Sequence, residues 1–383
     1  MKKITLISYP SDQSNLLSLC DHQSRYELMI GGRFMILDFI LSIGLSVQVN
    51  EIILLEDRVS ESLKAQCEDE TTFAQFPSIK TEGVGPGPYN TFLINLLQHN
   101  KSDYILFING DNPVIGDLQE AISKLLSEDV PYGIIKLSFG NKPLNTTELI
   151  LIKKDILLES LRLQFDRAES LFSLITDLIE LLKNEDSCIK REISGYYHPI
   201  NNIVEYYNSN MEIIKWLKPM AQLFQTIPLG NMIPTFSGEG IIRRQAQVID
   251  SILTDSCQIH GDVYNSILFP KVTVSKKAKV MNSIILPNTI IGERSIVTRA
   301  IIDETFESTI NLPTIGEECV IGKEGQSSRN TIYPKTLYNG ITLIGPNCTL
   351  PKRVKIGGGC YVKGGTDRKE LKKNSVVEDS ETI

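Results

Sequence analysis

The sequence lacks the features that mark membrane-spanning proteins and nucleic-acid-binding proteins. No apolar run approaches the ~18 residues of a membrane-spanning helix, and the run after Lys2 and Lys3 is too short for a signal peptide. Lys and Arg total 39 against 46 Asp and Glu, so the net charge is −7. A general nucleic-acid binder needs a basic face, which this balance argues against, although it leaves room for a local phosphate pocket.

Paired cysteines and clustered histidines are also missing. The seven cysteines are odd in number, scattered and without C-x-x-C spacing, which is typical of reduced thiols rather than of a disulfide framework or a zinc site. The histidines His22, His99, His198 and His260 show no metal-ligand spacing. The sequence therefore predicts a cytoplasmic protein without a His or Cys metal centre.

What is present indicates a folded protein of several domains. The 383 residues correspond to between two and three domains at roughly 150 residues each. Hydrophobic residues make up 42% and charged residues 22%, as in ordinary soluble globular proteins. Such a chain buries a sizeable core, and disorder is excluded as its main state.

The first 225 residues alternate short apolar strands with helical patterns. Strands are predicted at Leu6-Ile7 and at 51–55, 103–109 and 132–137, and helices at 36–45, 118–126 and within 155–183. Short apolar strands that alternate with helices predict parallel βαβ units in a Rossmann-like α/β domain. Ligands of such sheets bind beyond the carboxyl ends of the strands.

The last third of the chain has a different period. Aliphatic or alanine side chains recur every six residues in three runs: Val272, Ala278, Ile284, Ile290, Ile296 and Ile302, then Ile315 and Ile321, then Ile344, Leu350, Ile356 and Val362. Helices give spacings of three and four, whereas a six-residue period is typical of a hexapeptide-repeat β-solenoid. The interruptions at 304–312 and 323–340 are predicted to be loops that leave the coil.

We predict three parts: an α/β domain at 1–225, a linker at 226–242, and a left-handed parallel β-helix at 243–383. Four segments, in order along the chain, resemble those of a known family. Ile30-Gly31-Gly32-Arg33-Phe34-Met35-Ile36-Leu37-Asp38-Phe39 is similar to F-G-G-[KR]-Y-R-[IL]-I-D-F, and Asn109-Gly110-Asp111-Asn112 to a G-D-H segment. Residues 195–211 and 290–303 resemble the G-Y-W-x-D and A-I-I-D regions. Together they resemble the sugar-1-phosphate nucleotidyltransferases, and within them the ADP-glucose pyrophosphorylases (glucose-1-phosphate adenylyltransferases).

The resemblance implies a reaction and a set of site residues. In that family a phosphate oxygen of glucose 1-phosphate attacks the α-phosphorus of ATP, giving ADP-glucose and pyrophosphate. The resemblance implies Mg²⁺ as the cofactor if any catalysis is retained, Asp111 as its ligand, and Gly31, Gly32, Arg33 and Asp111 as residues that face substrate or phosphate. Each has a second interpretation: the glycines form only a tight turn, Arg33 forms a surface ion pair, and Asp111 is vestigial.

The chain departs from the family pattern at the phosphate, metal and sugar positions together. The family's first loop reads G-G-x-G-[TS]-R-L, whereas 8–16 here contains neither glycine nor arginine and brings Asp12 instead. Without glycine, backbone amides cannot easily approach phosphates. Pro199 stands where the family has its second metal aspartate, and Asn141-Lys142-Pro143 is only a partial match to the sugar-phosphate E-K-P segment.

A subgroup of the family fits better. Its GlgD-type regulatory subunits lack the glycine-rich loop and read approximately G-Y-x-x-x-I-N-S-I-x-x-Y-[YF]-x-x-N-M, to which 195–211 is similar nearly position by position. The resemblance implies a catalytically impaired regulatory subunit of glycogen biosynthesis, paired with a catalytic subunit in a hetero- or homotetramer and responsive to an anionic effector or sugar nucleotide.

Three other functions stay open. One is an active nucleotidyltransferase with a remodelled loop, and another is a relative of mannose-1-phosphate guanylyltransferases. The third is a hexapeptide acyltransferase, for which His260 is the one histidine in the solenoid. Basic residues on the predicted solenoid turns are either an anion site or a solvated corner: Lys276, Lys277, Lys279, Lys352, Arg353 and Lys355.

Overall fold

A computed structural model describes residues 2–9, 11, 13–56, 60–68, 77–85, 87–138, 146–164, 168–183, 188–215, 239–306, 312–325 and 327–383. The predicted Asn141-Lys142-Pro143 segment and Asp12 lie outside these residues. No helix in the described ranges is long and apolar enough to cross a membrane.

The N-terminal part is built on an eight-stranded sheet with the order β5-β4-β1-β6-β9-β8-β10-β7. Its strands, with the small hairpin β2-β3, are β1 (Ile4–Tyr9), β2 (Met29–Ile30), β3 (Phe34–Met35), β4 (Glu51–Glu56), β5 (Ser78–Gly83), β6 (Tyr104–Asn109), β7 (Val114–Gly116), β8 (Tyr132–Ser138), β9 (Thr146–Lys153) and β10 (Ile189–Tyr197). The predicted strands at 51–55, 103–109 and 132–137 are confirmed.

The sheet is mixed rather than parallel throughout. Strands β5, β4, β1 and β6 run parallel, but β9 is antiparallel to both β6 and β8. The connection between β8 and β9 is too short for a parallel crossover, which needs a dozen or more residues, so these strands must pair antiparallel.

Helices cover both faces of this sheet. Their bounds are α1 (Ile36–Val47), α2 (Glu61–Glu68), α3 (Tyr89–Gln98), α4 (Leu118–Ser127), α5 (Lys154–Gln164), α6 (Leu171–Lys183) and α7 (Ile203–Lys215). Successive strand residues point to opposite faces, so Leu6 packs in the core with α1, α4 and α7, and Ile7 in the core with α3, α5 and α6. The α/β fold class is confirmed.

The C-terminal part is a β-solenoid of short strands in three parallel sheets, as predicted. The strands are β11 (Ile241–Ile242), β12 (Val248–Ile249), β13 (Ile252–Leu253), β14 (Gln258–Ile259), β15 (Asp262–Tyr264), β16 (Ile267–Leu268), β17 (Thr273–Val274), β18 (Lys279–Met281), β19 (Ile284–Ile285), β20 (Ile290–Ile291), β21 (Ile296–Thr298), β22 (Ala300–Ile302), β23 (Val320–Ile321), β24 (Thr342–Ile344), β25 (Lys355–Ile356), β26 (Tyr361–Val362) and β27 (Val376–Val377). Its first strand lies inside the range predicted as linker.

The coil length differs from the six-residue period. Val263 pairs with Val280, and Val280 with Val297, so these coils advance 17 residues rather than three full hexads. A shift of one residue turns a side chain to the other face of a strand. Accordingly Ile291 and Val297 point into the solenoid core, while Ile290 and Ile296 are only half-buried.

One solenoid sheet packs against the α/β domain. Ile267, Ile284 and Ile301 lie in one apolar core with residues of α1 and α7. The Tyr207 hydroxyl of α7 donates to the Asn282 carbonyl at 2.6 Å. The two parts therefore share a buried interface close to the carboxyl edge of the eight-stranded sheet.

Candidate functional site

The strongest sequence candidate, Asp111, lies just beyond β6 at the carboxyl edge of the sheet. Its side chain is fully buried. The Ser11 amide donates to Asp111 Oδ2 at 2.7 Å, the Ser11 hydroxyl donates to the same oxygen, and the Arg25 guanidinium forms an ion pair with Asp111 Oδ1. Both carboxylate oxygens are thus engaged by the chain itself.

Arg25 is held by the same small network. It begins a short 3₁₀ turn, Arg25–Glu27, which Ser24 caps by accepting from the Tyr26 amide. Arg25 Nη1 also donates to the Ser11 carbonyl at 3.2 Å and to the Ser11 hydroxyl oxygen at 2.9 Å, and its side chain is only 1% exposed. Charge-assisted hydrogen bonds of this kind are among the strongest in proteins.

Tyr26 fills the neighbouring space. Its hydroxyl lies 3.0 Å from the Ser8 carbonyl and 3.1 Å from the Leu55 carbonyl, so it joins the carboxyl ends of β1 and β4. A Cβ on Gly110 would lie 2.8 Å from Tyr26 Cε1. The glycine of the Gly110-Asp111 motif therefore makes room for a side chain of the protein.

A second buried carboxylate lies at the same edge. Glu56, the last residue of β4, is fully buried and accepts from the Ser24 hydroxyl. Glu27 accepts from the Ser24 amide at 2.9 Å. Residues 24–27 thus lie against the ends of three parallel strands, where a ligand of such a sheet is expected.

The electrostatics of Asp111 oppose metal binding. Burial raises the pKa of its carboxyl, and the Arg25 charge and the Ser11 hydrogen bonds act in the opposite direction. Mg²⁺ requires carboxylate or water oxygens in near-octahedral geometry. Arg25 and Ser11 contact the two carboxylate oxygens of Asp111, which leaves neither of them open to Mg²⁺. The described residues contain no group of three or more His, Cys, Asp and Glu that could hold a metal.

The predicted second metal position has no carboxylate of its own. Pro199 lies between β10 and α7, next to the buried His198. His198 Nε2 is 3.1 Å from a Glu212 carboxylate oxygen, and its Nδ1 is 3.1 Å from the Pro199 carbonyl. This histidine and glutamate pair with each other.

The predicted phosphate-facing residues Gly31 and Gly32 contact α7 and the solenoid. The Gly31 amide donates to Asn210 Oδ1 of α7 at 2.8 Å, and a Cβ on Gly32 would lie 2.8 Å from Thr254 Cγ2 of the solenoid. Arg33 is exposed. These contacts favour the alternative of a tight turn, here one that packs against α7 and the solenoid.

The basic solenoid residues are partly committed to ion pairs. Lys352 pairs with Glu317, and Glu318 lies between Arg353 and Arg294. His260, the acyltransferase candidate, follows β14 on the second coil and is half-buried.

Sequence reasoning missed Ser11, Arg25 and Tyr26, which carry the site's contacts. Arg25 and Tyr26 are among the largest fully buried side chains of the described residues. One sequence signal was present, the S-x-x-E capping box of Ser24 and Glu27. It predicts a turn ahead of Met29, but it does not indicate where the side chains of Arg25 and Tyr26 point.

Known proteins match both parts of the chain. The family described as GlmU-like, C-terminal hexapeptide matches residues 237–344. Glucose-1-phosphate adenylyltransferase of Acetivibrio thermocellus is 28% identical over 182 residues, 46% of this chain and 39% of the relative. The enzyme of the same name from Pseudothermotoga lettingae is 28% identical over 210 residues, 52% of this chain and 46% of the relative.

A longer match is more distant. Glucose-1-phosphate adenylyltransferase of Bacillus thuringiensis is 22% identical over 338 residues, 76% of this chain and 88% of the relative. The first two matches span less than half the length of the relatives concerned. The chain is therefore a homologue of proteins named glucose-1-phosphate adenylyltransferase and carries a hexapeptide solenoid of the GlmU-like type.

Proposed function

We propose that this chain is a catalytically impaired regulatory subunit, of GlgD type, that works with a catalytic glucose-1-phosphate adenylyltransferase subunit in glycogen biosynthesis. The observation that carries the proposal is the buried Asp111, whose charge is balanced by Arg25 and which accepts hydrogen bonds from Ser11. Homology to proteins named for the adenylyl transfer supports the choice of partner and pathway.

The chemistry explains why this arrangement opposes turnover. Adenylyl transfer brings two polyanions together, and it depends on cations at the phosphates and on carboxylates that hold Mg²⁺. Here the arginine pairs with the one candidate carboxylate instead of with a phosphate, and both groups are buried. Tyr26 packs beside them. In this proposal the chain's own side chains fill the carboxyl edge of the sheet, where the reacting groups would bind.

The regulatory role follows from what is retained. The α/β sheet and the solenoid share a buried interface, and both parts are matched by homologues named glucose-1-phosphate adenylyltransferase or by the GlmU-like hexapeptide family. We propose that it assembles with the catalytic subunit in a tetramer and shifts that subunit's rate and its response to an anionic effector or sugar nucleotide. An alternative is an active transferase with a remodelled loop, in which Mg²⁺ binds after rearrangement.

The test is pyrophosphate release from ATP and glucose 1-phosphate with Mg²⁺. The purified chain is assayed alone, and then with the catalytic subunit from the same source at several ratios. Two variants accompany it: Asp111→Asn at the buried site, and Asp117→Asn, an exposed aspartate on the same stretch, as the control.

We expect no turnover by the chain alone or by either variant. We expect a changed rate or effector response when the wild-type chain or Asp117→Asn is mixed with the catalytic subunit. Turnover by the chain alone that Asp111→Asn abolishes and Asp117→Asn spares would support the active transferase instead. A chain that stays monomeric beside the catalytic subunit and leaves its kinetics unchanged contradicts the regulatory role.

A further inference from the structure

An unusual buried carboxylate, Asp303, lies at the interface between the solenoid and the α/β domain. It follows β22, and its residue is 2% exposed. The Ser18 hydroxyl donates to Asp303 Oδ2 at 3.2 Å, and the Glu304 amide donates to Oδ1 at 2.8 Å. Asp303 therefore connects a solenoid turn to the 3₁₀ segment Gln13–Cys20.

Among the described residues, no cation pairs with this carboxylate. In the described ranges no Lys, Arg or His nitrogen forms a salt bridge with Asp303, in contrast to the Arg25–Asp111 pair. The titratable groups that interact with it electrostatically are acidic or neutral: Cys20 and Asp21 beside Ser18, Tyr206 of α7, the adjacent Glu304, Cys348, and Tyr361 of β26.

An isolated ionised carboxylate in such a place is costly. Burial without a partner charge disfavours the charged form, and nearby acids disfavour it further. Burial and the Glu304 and Asp21 charges raise the pKa of Asp303 well above its usual value, against which the Glu304 amide and Ser18 hydroxyl act. A neutral carboxyl group needs no counter-ion there.

The segment that Asp303 contacts also contains Arg25, which pairs with the buried Asp111. Residues 13–27, here called the bridging segment, carry Ser18 at one end and Arg25 at the other. Leu17, next to Ser18, has φ 48° and ψ −136°, a conformation rarely adopted by L-residues other than glycine. His22 of the segment meets Phe306 edge-on at 5.9 Å between ring centroids. Contacts at both ends hold this strained backbone in place.

We propose that protonated Asp303 is a pH-sensitive latch that fixes the bridging segment to the solenoid and that releases it as the carboxyl ionises. This inference concerns the fold and is independent of the proposed regulatory role. Because Arg25 belongs to the same segment, release also loosens the cover over Asp111. In the described ranges, the latch is a buried carboxyl group without a counter-ion at the interface between the two parts.

The difference between the pKa of Asp303 in the closed state and in the opened state determines how pH changes the opening. A carboxyl whose pKa is raised in the closed state keeps its proton there, while in the opened state it ionises near pH 4. The closed state is therefore favoured most at low pH. Its advantage decreases about tenfold per pH unit until the carboxyl ionises in the closed state as well.

Hydrogen–deuterium exchange of the full chain between about pH 5 and about pH 8 tests this, with intrinsic rates corrected for pH. The readout is the opening constant of the amides in the bridging segment. The variants are Asp303→Asn, which is neutral and nearly isosteric, and Asp255→Asn, an exposed solenoid aspartate, as the control.

We expect the opening constant of the wild type and of Asp255→Asn to rise with pH, by up to about tenfold per unit, and that of Asp303→Asn to stay flat. Equal pH dependence in all three proteins overturns the latch, as does an Asp303→Asn segment that opens more readily than wild type at every pH.

If Asp303→Asn does not fold, infrared spectroscopy of the wild type tests whether Asp303 is protonated. Isotope labelling of aspartate identifies the carbonyl band of a protonated aspartate. The latch requires such a band at neutral pH. Burial also raises the pKa of Asp38 and of Asp111, so the band belongs to Asp303 if it persists in the combined variant Arg25→Met/Asp38→Asn/Asp111→Asn. A spectrum of this combined variant without the band overturns the proposal.

Discussion

Arg25 and Asp111 form an ion pair in which both side chains are at least 99% buried, at the edge of the sheet where a substrate is expected. The arginine comes from a capped turn and the aspartate from the end of β6. Removing two charges from water carries a large desolvation cost, which only their mutual attraction and surrounding hydrogen bonds offset. The pair thus makes each residue depend on the other.

The first prediction concerns this dependence. Arg25→Met leaves a buried, uncompensated carboxylate, so we expect the free energy of unfolding to fall by about 3–5 kcal/mol. The double variant Arg25→Met/Asp111→Asn removes both charges and is expected to regain most of that loss. Chemical denaturation at neutral pH measures both effects.

The matched control is Arg191→Met, which removes the half-exposed ion pair with Glu128. Exposed pairs contribute at most about 1 kcal/mol. If Arg25→Met is no more destabilising than Arg191→Met, the buried pair does not exist in solution as described.

The second prediction concerns the space beside Asp111. Gly110→Ala places a Cβ 2.8 Å from Tyr26 Cε1 and 2.6 Å from Ser8 Oγ, so we expect a loss of about 1–3 kcal/mol from overpacking. In a Tyr26→Leu background the ring atoms are gone, and the same substitution should cost less. A double-mutant cycle measures this coupling.

Gly87→Ala is the control, because a Cβ at Gly87 meets nothing within 4 Å. Additive effects of Gly110→Ala and Tyr26→Leu would show that the two residues are not in contact.

Local pattern was sufficient for much of the fold. Apolar runs located β4, β6 and β8, and the six-residue period located the solenoid. The period did not determine which side chains point inward. Coils of 17 residues are one residue shorter than three hexads, and this shifts Ile290 and Ile296 away from the core positions. A turn that is one residue shorter leaves no clear trace in the composition.

The closed site could be predicted only in part. The absence of glycine from the first loop predicted that it would not hold a phosphate, but nothing local indicated that Arg25 would pair with Asp111. Ser11 and Asp111 are 100 residues apart, and their contact depends on the pairing of β1 with β6. Long-range contacts of single polar side chains leave no periodic pattern in a sequence.

The third prediction concerns the turn at Gly32. Its φ is +82°, which costs an L-residue about 1–2 kcal/mol, and a Cβ would also lie 2.8 Å from Thr254 Cγ2. We expect Gly32→Ala to lower the free energy of unfolding by about 2 kcal/mol or more. Thr254→Ser removes the clashing methyl but retains the hydroxyl that donates to the Leu268 carbonyl at 3.0 Å.

In that serine background Gly32→Ala should therefore cost less, leaving the backbone strain and a tight contact with Ile252 Cγ2 at 3.3 Å. Gly85→Ala, at an open position, is the control. An unchanged cost in the serine background would place the turn away from the solenoid.

The fourth prediction concerns Asp38, which is 2% exposed and accepts from the Met35 amide at 2.8 Å at the start of α1. Burial raises the pKa of Asp38 to about 7, against the opposing hydrogen bond. Its contribution to stability is therefore fully present below the unfolded pKa of about 4 and is lost as pH rises through about 7. Asp38→Asn should remove that part of the decline, whereas exposed Asp155→Asn should not. Denaturation curves across this window measure it, and parallel curves for wild type and Asp38→Asn would mean that Asp38 is ionised in the folded protein.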